Sequence, residues 1–289
     1  MPDKTVTVMK TRKVGYTVAA MLVCLLALLP SCGGGGSSNG ARMRKIETDT
    51  IVHLSDRRDG PSCRVSMKYC YLEPLSDSDS ISAEINRSIV RTAFGKKFSG
   101  LSPKEWVSKF VRGLVDDYLD EVEDLYKADI KGGMKPADAP SWYSYEFEFD
   151  TDMRKGREDV WNYVVSAYLY TGGAHANIIH TCINIDALTG KLLTKEDVFL
   201  MEYEREICKL IEEELIEQAN ETIDDASISS VADLQEYGIL LDNDLYVPNN
   251  FILEEKSVTF VYNRYDIAPY SAGEFELTVP VTDLRDYMK

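Results

Sequence analysis

At Gly132-Gly133 the spacing of apolar residues changes character, and that change constrains the fold more than any other feature. Before it, Trp106, Phe110, Leu114, Tyr118, Val122 and Leu125 recur every three or four residues, which predicts a long amphipathic helix. Ser102-Pro-Lys-Glu105 opens that helix as a capping box with proline at the first helical position. After Gly132-Gly133 and the Pro136–Pro140 segment, the pattern alternates. Trp142, Tyr143, Tyr145, Phe147 and Phe149 mark one strand, 161–170 another and 177–185 a third.

Around this break the remaining elements fall into place. A strand over 64–72 ends at Pro74, and 81–98 reads as a helix with Ile85, Ile89, Val90 and Phe94 on one face. Helices are expected over 194–199 and 203–220, and short strands over 251–253, 258–262 and 275–279. Without regular strand–helix–strand alternation, these runs predict an α+β fold of antiparallel sheets with packed helices, in two sub-domains. The boundaries expected are 47–150 and 151–289.

The first forty residues read differently. Lys4, Lys10, Arg12 and Lys13 precede about a dozen apolar residues, and Leu-Pro-Ser-Cys32 closes the run. That run is shorter than the roughly 20 residues a spanning helix needs. Residues 1–31 are therefore expected to be a lipoprotein signal peptide, with Met9 an alternative start, and Cys32 the lipidated residue. Residues 32–46, rich in glycine and serine at their start, are expected to form a flexible tether. The folded part would then be held at a bacterial membrane by acyl chains, facing the periplasm or the exterior.

Charge excludes one class of partner. The chain has 32 basic and 48 acidic side chains, and loss of residues 1–31 leaves 28 against 47, a net charge of −19. Nucleic acid is not expected, because phosphate binding needs clustered cations. An acidic field instead steers basic proteins, although acidity also serves solubility alone. Four cysteines besides Cys32 (Cys63, Cys70, Cys182, Cys208) permit three disulfide pairings in an oxidising compartment. Cys63–Cys70 is disfavoured if one straight strand holds both.

Catalytic and metal motifs are scarce. His175 and His180 flank a predicted strand with odd spacing, which puts them on opposite faces, so no shared metal is expected. No Gly-x-Ser-x-Gly elbow and no phosphate-binding loop occurs. Glu212, Glu213, Glu214 and Glu217 read as the wet face of a helix. No cofactor and no enzymatic activity are expected. The segment Tyr168-Leu-Tyr-Thr-Gly-Gly-Ala-His-Ala-Asn177 stands out instead, because paired glycines permit a tight reversal and close backbone approach. His175 there either bonds its own hairpin or meets a partner.

Three ordered motifs carry a resemblance. Tyr170-x-Gly-Gly-Ala-His-x-Asn177, then Asn184-Ile-Asp-Ala-Leu-Thr-Gly190 with Leu192, Asp197 and Phe199, then 260–273 followed by Val279-Pro280, resemble the extracytoplasmic C-terminal domain of RsiV-type anti-sigma factors. PdaC-type peptidoglycan deacetylases carry a similar domain. The likeness covers 163–284, while 49–149 fits the companion strand–helix–strand domain. It implies a receptor for C-type lysozyme, whereas the anti-sigma segment, the membrane helix and the deacetylase domain have no counterpart here. The contact residues it implies are Gly172, Gly173, Ala174, His175, Asn177, Ala268, Pro269 and Tyr270. Two other classes remain open: a peptidoglycan-binding module using Trp142, Tyr143 and Tyr145 as stacking platforms, and an envelope hydrolase with an unrecognised carboxylate pair.

Overall fold

The computed structural model of the protein describes residues 42–74, 76, 78–223, 227–241 and 245–289. The expected signal segment, Cys32 and the expected tether up to residue 41 lie outside the described residues. Strands β1 (Arg42–His53) and β2 (Ser62–Glu73) pair antiparallel along their whole length. Helices α1 (Ser80–Ala93) and α2 (Pro103–Lys131) follow, then β3 (Tyr145–Lys155), β4 (Val160–Tyr170), β5 (Asn177–Asp186) and the two-residue β6 (Leu192–Leu193). The six strands form one sheet in sequence order. Because two helices intervene between β2 and β3, the chain returns to the same end of the sheet, and that pair alone is parallel.

The 29-residue helix α2 starts at the expected capping box, with Glu105 bonded back to Ser102. Its buried stripe is Trp106, Val107, Val111, Val115, Tyr118, Val122 and Tyr126, packed on the sheet face that carries Val65, Met67, Tyr69, Phe147 and Phe149. Leu125, expected in that stripe, is 54 % exposed; the four-residue step from Val122 puts Tyr126 inward instead. The Tyr118 hydroxyl donates to the Tyr143 carbonyl at 2.8 Å, and the Tyr143 hydroxyl to Asp129 at 2.7 Å. These bonds hold residues 141–143 as a 3-10 turn before β3, not as part of the expected strand.

The second half comprises α3 (Lys195–Val198), α4 (Glu204–Thr222), α5 (Val231–Glu236), the antiparallel sheet β7 (Phe251–Leu253), β8 (Ser257–Tyr262) and β9 (Phe275–Pro280), and a final α6 (Val281–Leu284). Ile207, Ile211 and Leu215 of α4 pack with Phe260, Leu277 and Val279 in a separate core. The fold is thus α+β, as expected. Residue 150 lies inside β3, whose ladder with β4 runs unbroken from Glu146 to Lys155, so the first core extends to Leu192. Residues 42–46, expected to belong to a tether, lie in β1, where Ile46 is buried.

The two sheets meet through asparagine side chains in place of a strand ladder. Asn184 donates to the Phe251 carbonyl at 2.8 Å and accepts from the Leu253 amide at 2.9 Å, and Asn162 adds a bond to the Leu253 carbonyl. From the other side, Asn250 accepts from the Cys182 amide and Asn263 from the His180 amide, both at 2.7 Å. The His180 and Cys182 amides, on the part of the β5 edge that β6 does not reach, are thereby satisfied without a neighbouring strand. Cys63, Cys70 and Cys182 are buried, separate thiols, and both Cys63 and Cys70 sit on β2. Among the described residues, no helix is long and apolar enough to cross a membrane.

Candidate partner-binding site

The hairpin between β4 and β5 is shaped by Gly172. It sits at φ +76, a left-handed conformation that costs residues with a Cβ, and the backbone of Trp142 fills the space a Cβ would take. This contact fixes the loop against the turn preceding β3 and leaves Gly173, Ala174 and His175 exposed. Asn177, the first residue of β5, is exposed beside them.

The second loop follows β8. The Asp266 carboxylate accepts from the Asn263 amide at 2.8 Å, closing a turn in which Tyr265 takes φ +70. A tyrosine in that region is uncommon, and its ring is 60 % exposed. Ile267 and Ala268 then enter the second core, Pro269 precedes a 3-10 turn at Tyr270–Ala272, and the chain enters β9.

The two loops, almost a hundred residues apart in sequence, meet. The His175 and Tyr270 rings stack with centroids 3.8 Å apart and planes at 19°. The Tyr270 hydroxyl donates to the Ala176 carbonyl at 2.8 Å and accepts from Arg264 at 2.8 Å. The Arg264 guanidinium lies 4.7 Å from the centre of the Tyr270 ring, a cation–π arrangement, and the Tyr265 ring centre is 5.7 Å from that of Tyr270. Beneath this layer, Glu274 Oε2 stands 3.7 Å from Arg264 Nε, and Glu274 Oε1 stands 3.8 Å from His180 Nε2. His180 Nδ1 pairs with Ser166 Oγ at 3.0 Å across β4 and β5.

Of the contact residues expected from sequence, Gly173, Ala174, His175 and Asn177 are exposed, and Pro269 and Tyr270 are half-buried. Gly172 and Ala268 are buried and shape their loops instead of offering surface. Arg264, Tyr265, Glu274 and His180 complete the site and were not singled out as contacts. Their signal is faint: Arg264 and Tyr265 lie within the motif over 260–273, whereas Glu274 lies just beyond it.

The two histidines are not the two faces of one strand. His180 lies within β5 and His175 in the loop before it, each with its own partner. Among the described residues, no group of three or more His, Cys, Asp or Glu is placed to hold a metal. Ser166, His180 and Glu274 form a line, but 3.8 Å is too long for a hydrogen bond between base and carboxylate. Ser166 also lies in mid-strand, without the sharp strand-to-helix turn of a nucleophile elbow. Burial pushes the nearby Cys182 thiol up to about 12, which leaves it protonated and a poor nucleophile. What the arrangement offers is a surface of aromatic rings over a fixed charge network.

Residues 194–282 match DUF3298, a protein family of unknown function. That segment starts at the cap of α3 and holds the Tyr265–Tyr270 half of the site, while the His175 hairpin lies before it. The crystal structure of a DUF3298 family member from Bacteroides fragilis NCTC 9343 is similar over 86% of this chain and 94% of its own, with a TM-score of 0.77 and 23% identity. A DUF3298 family protein from Pseudomonas aeruginosa PAO1 is similar over 87% of this chain and 95% of its own, with a TM-score of 0.51 and 18% identity. These likenesses show a shared fold that includes both sheets. No curated protein matches this chain.

Proposed function

We propose that this chain is a non-enzymatic binding protein of a bacterial cell envelope, anchored by lipid at Cys32, whose partner is a basic protein of the C-type lysozyme class. The observation that carries the reading is the stacking of His175 on Tyr270, which joins two motif loops into one surface with exposed Tyr265 at its side. Tyrosines on such surfaces bring large contact area with few rotors, and they are enriched where binding energy concentrates. The net charge of −19 left after residues 1–31 favours encounter with a cationic partner. The resemblance to RsiV-type receptors adds the lysozyme class. A protein lying across a cleft flanked by two carboxylates inhibits without chemistry of its own.

The test is calorimetry and a muramidase assay with a basic C-type lysozyme at low and high salt. Saturable binding and inhibition that weaken with salt are expected; no heat and no inhibition at low salt removes lysozyme as the partner. Peptidoglycan binding is the competing reading, and it rests on a single ring. Trp142 is 54 % exposed beside the hairpin, but Tyr143 and Tyr145 are buried and cannot stack on a sugar. Binding to peptidoglycan fragments that is indifferent to salt and lost in Trp142→Ala favours that reading. Anchoring is tested by Cys32→Ala: unchanged membrane fractionation and unchanged electrophoretic mobility overturn it.

A further inference from the structure

A cleft opens between the end of β2, the middle of α1 and the start of α2. Its volume is about 500 Å³, within the range of sites that enclose small organic molecules. Tyr69, Tyr71, Pro74, Val90, Leu101 and Trp106 supply an apolar, largely aromatic lining. Two of these side chains are almost wholly buried, Tyr69 at 0 % and Trp106 at 1 % exposure, yet the Tyr69 hydroxyl and the Trp106 indole N–H make no hydrogen bond. The two rings meet edge to face with centroids 4.5 Å apart, and the indole N–H beside the phenol softens the burial that pushes the Tyr69 phenol up. Buried polar groups left unpaired oppose folding, so two at one lining call for an account.

The chemistry of the pair defines what would relieve it. An indole N–H only donates, and a phenol that stays protonated donates as well, so the missing group is a hydrogen-bond acceptor. Two other polar groups at the cleft are already engaged. Asn86 spends both ends of its amide on the backbone of Leu72, at 2.9 and 2.6 Å, and Arg87 pairs with Glu84. Glu105 occupies the cap of α2 through Ser102, so the helix terminus itself is not the attraction. Lys104 also lines the cleft, is exposed, and takes part in no ion pair among the described residues. An exposed cation at a cleft with two buried donors favours an anionic acceptor.

We propose that this cleft binds a small carboxylic acid with an aromatic body, the ring lying among Tyr71, Pro74 and Leu101 and the carboxylate meeting Trp106, Tyr69 and Lys104. The site is separate from the His175–Tyr270 surface and does not depend on its partner. The probe is 4-phenylbutyrate, titrated by calorimetry into the full chain in a non-ionic detergent, with 4-phenylbutanol as the uncharged control. The acid is expected to bind saturably and at least threefold more tightly than the alcohol at low salt. Tyr69→Phe removes an unpaired hydroxyl, so its melting temperature holds or rises while affinity for the acid falls at least fivefold. Trp106 is a core side chain, so the exposed Lys104→Gln variant provides a test independent of folding: it is expected to erase the preference for acid over alcohol. Absence of saturable binding by the wild-type chain overturns the proposal. So does an affinity for the acid that neither Tyr69→Phe nor Lys104→Gln changes.

Discussion

A Cβ on Gly172 would stand 2.2 Å from the Cα of Trp142. The hairpin that carries His175 is therefore positioned by backbone packed on backbone, with φ at +76. Gly172→Ala is expected to cost at least about 1–2 kcal/mol from the left-handed conformation alone, and more from the clash. Gly173→Ala, where the nearest atom to a Cβ is 4.0 Å away, is expected to leave stability unchanged. Denaturant midpoints of the two variants check this, and equal midpoints would remove the role assigned to Gly172.

Exposed rings at the site separate contact from support. His175→Ala and Tyr265→Ala are expected to lower partner affinity by about 1–2 kcal/mol while stability stays within about 0.5 kcal/mol. Tyr270 serves both purposes, because its hydroxyl joins Ala176 to Arg264. Tyr270→Phe is expected to cost about 1 kcal/mol of stability. If His175→Ala and Tyr265→Ala bind like the parent chain, the contact surface lies elsewhere.

Loss of one seam side chain should be felt across the molecule. Asn184→Ala strands the Phe251 carbonyl and the Leu253 amide in the interior, with an expected cost of about 2–5 kcal/mol. Asn184→Asp keeps an acceptor for Leu253 but loses the donor to Phe251, and it is expected to fall between. Unfolding followed by near-ultraviolet dichroism measures both. A change below about 0.5 kcal/mol for Asn184→Ala would show the seam to be incidental.

Acid should loosen the entry to the second half. Lys191, together with the Thr194 amide and hydroxyl, holds the Asp197 carboxyl down at about 2, against an ordinary value of 3.8. A lowered folded-state value means the contribution is complete above about pH 4 and disappears as pH falls through about 2. The stability gap between wild type and Asp197→Asn is expected to be flat above about pH 4 and to close between there and pH 2. A gap unchanged at pH 2 would contradict the linkage.

The parts of the fold legible in sequence are those with a strong local period. The capping box at Ser102 and the short strands over 251–253 and 258–262 stand where their residues indicate. Strand β1 escapes notice for a physical reason: as an edge strand it buries only Ile46, Thr50 and Val52, and its exposed arginines, Lys45 and acids resemble a tether. The helix-to-strand switch after Gly133 marks a crossover within one sheet, not a gap between two. At the site, the motifs over 170–177 and 260–273 name His175 and Tyr270, but nothing local says that they touch. Glu274 joins the site only because β9 returns beside β8.

A strand ladder tolerates sliding by two residues, since its donors and acceptors repeat along the chain. The seam of Asn162, Asn184, Asn250 and Asn263 has no such translational symmetry: Asn162 is bonded to Leu253, Asn184 to Phe251 and Leu253, Asn250 to His180, Cys182 and Val261, and Asn263 to His180. The two sheets are thus keyed like a lock with pins of fixed position, able to seat in one alignment or to come apart, but not to creep. Since His180 belongs to the keyed edge and Tyr270 to the chain that leaves it, the gap between hairpin and loop inherits that all-or-none alignment.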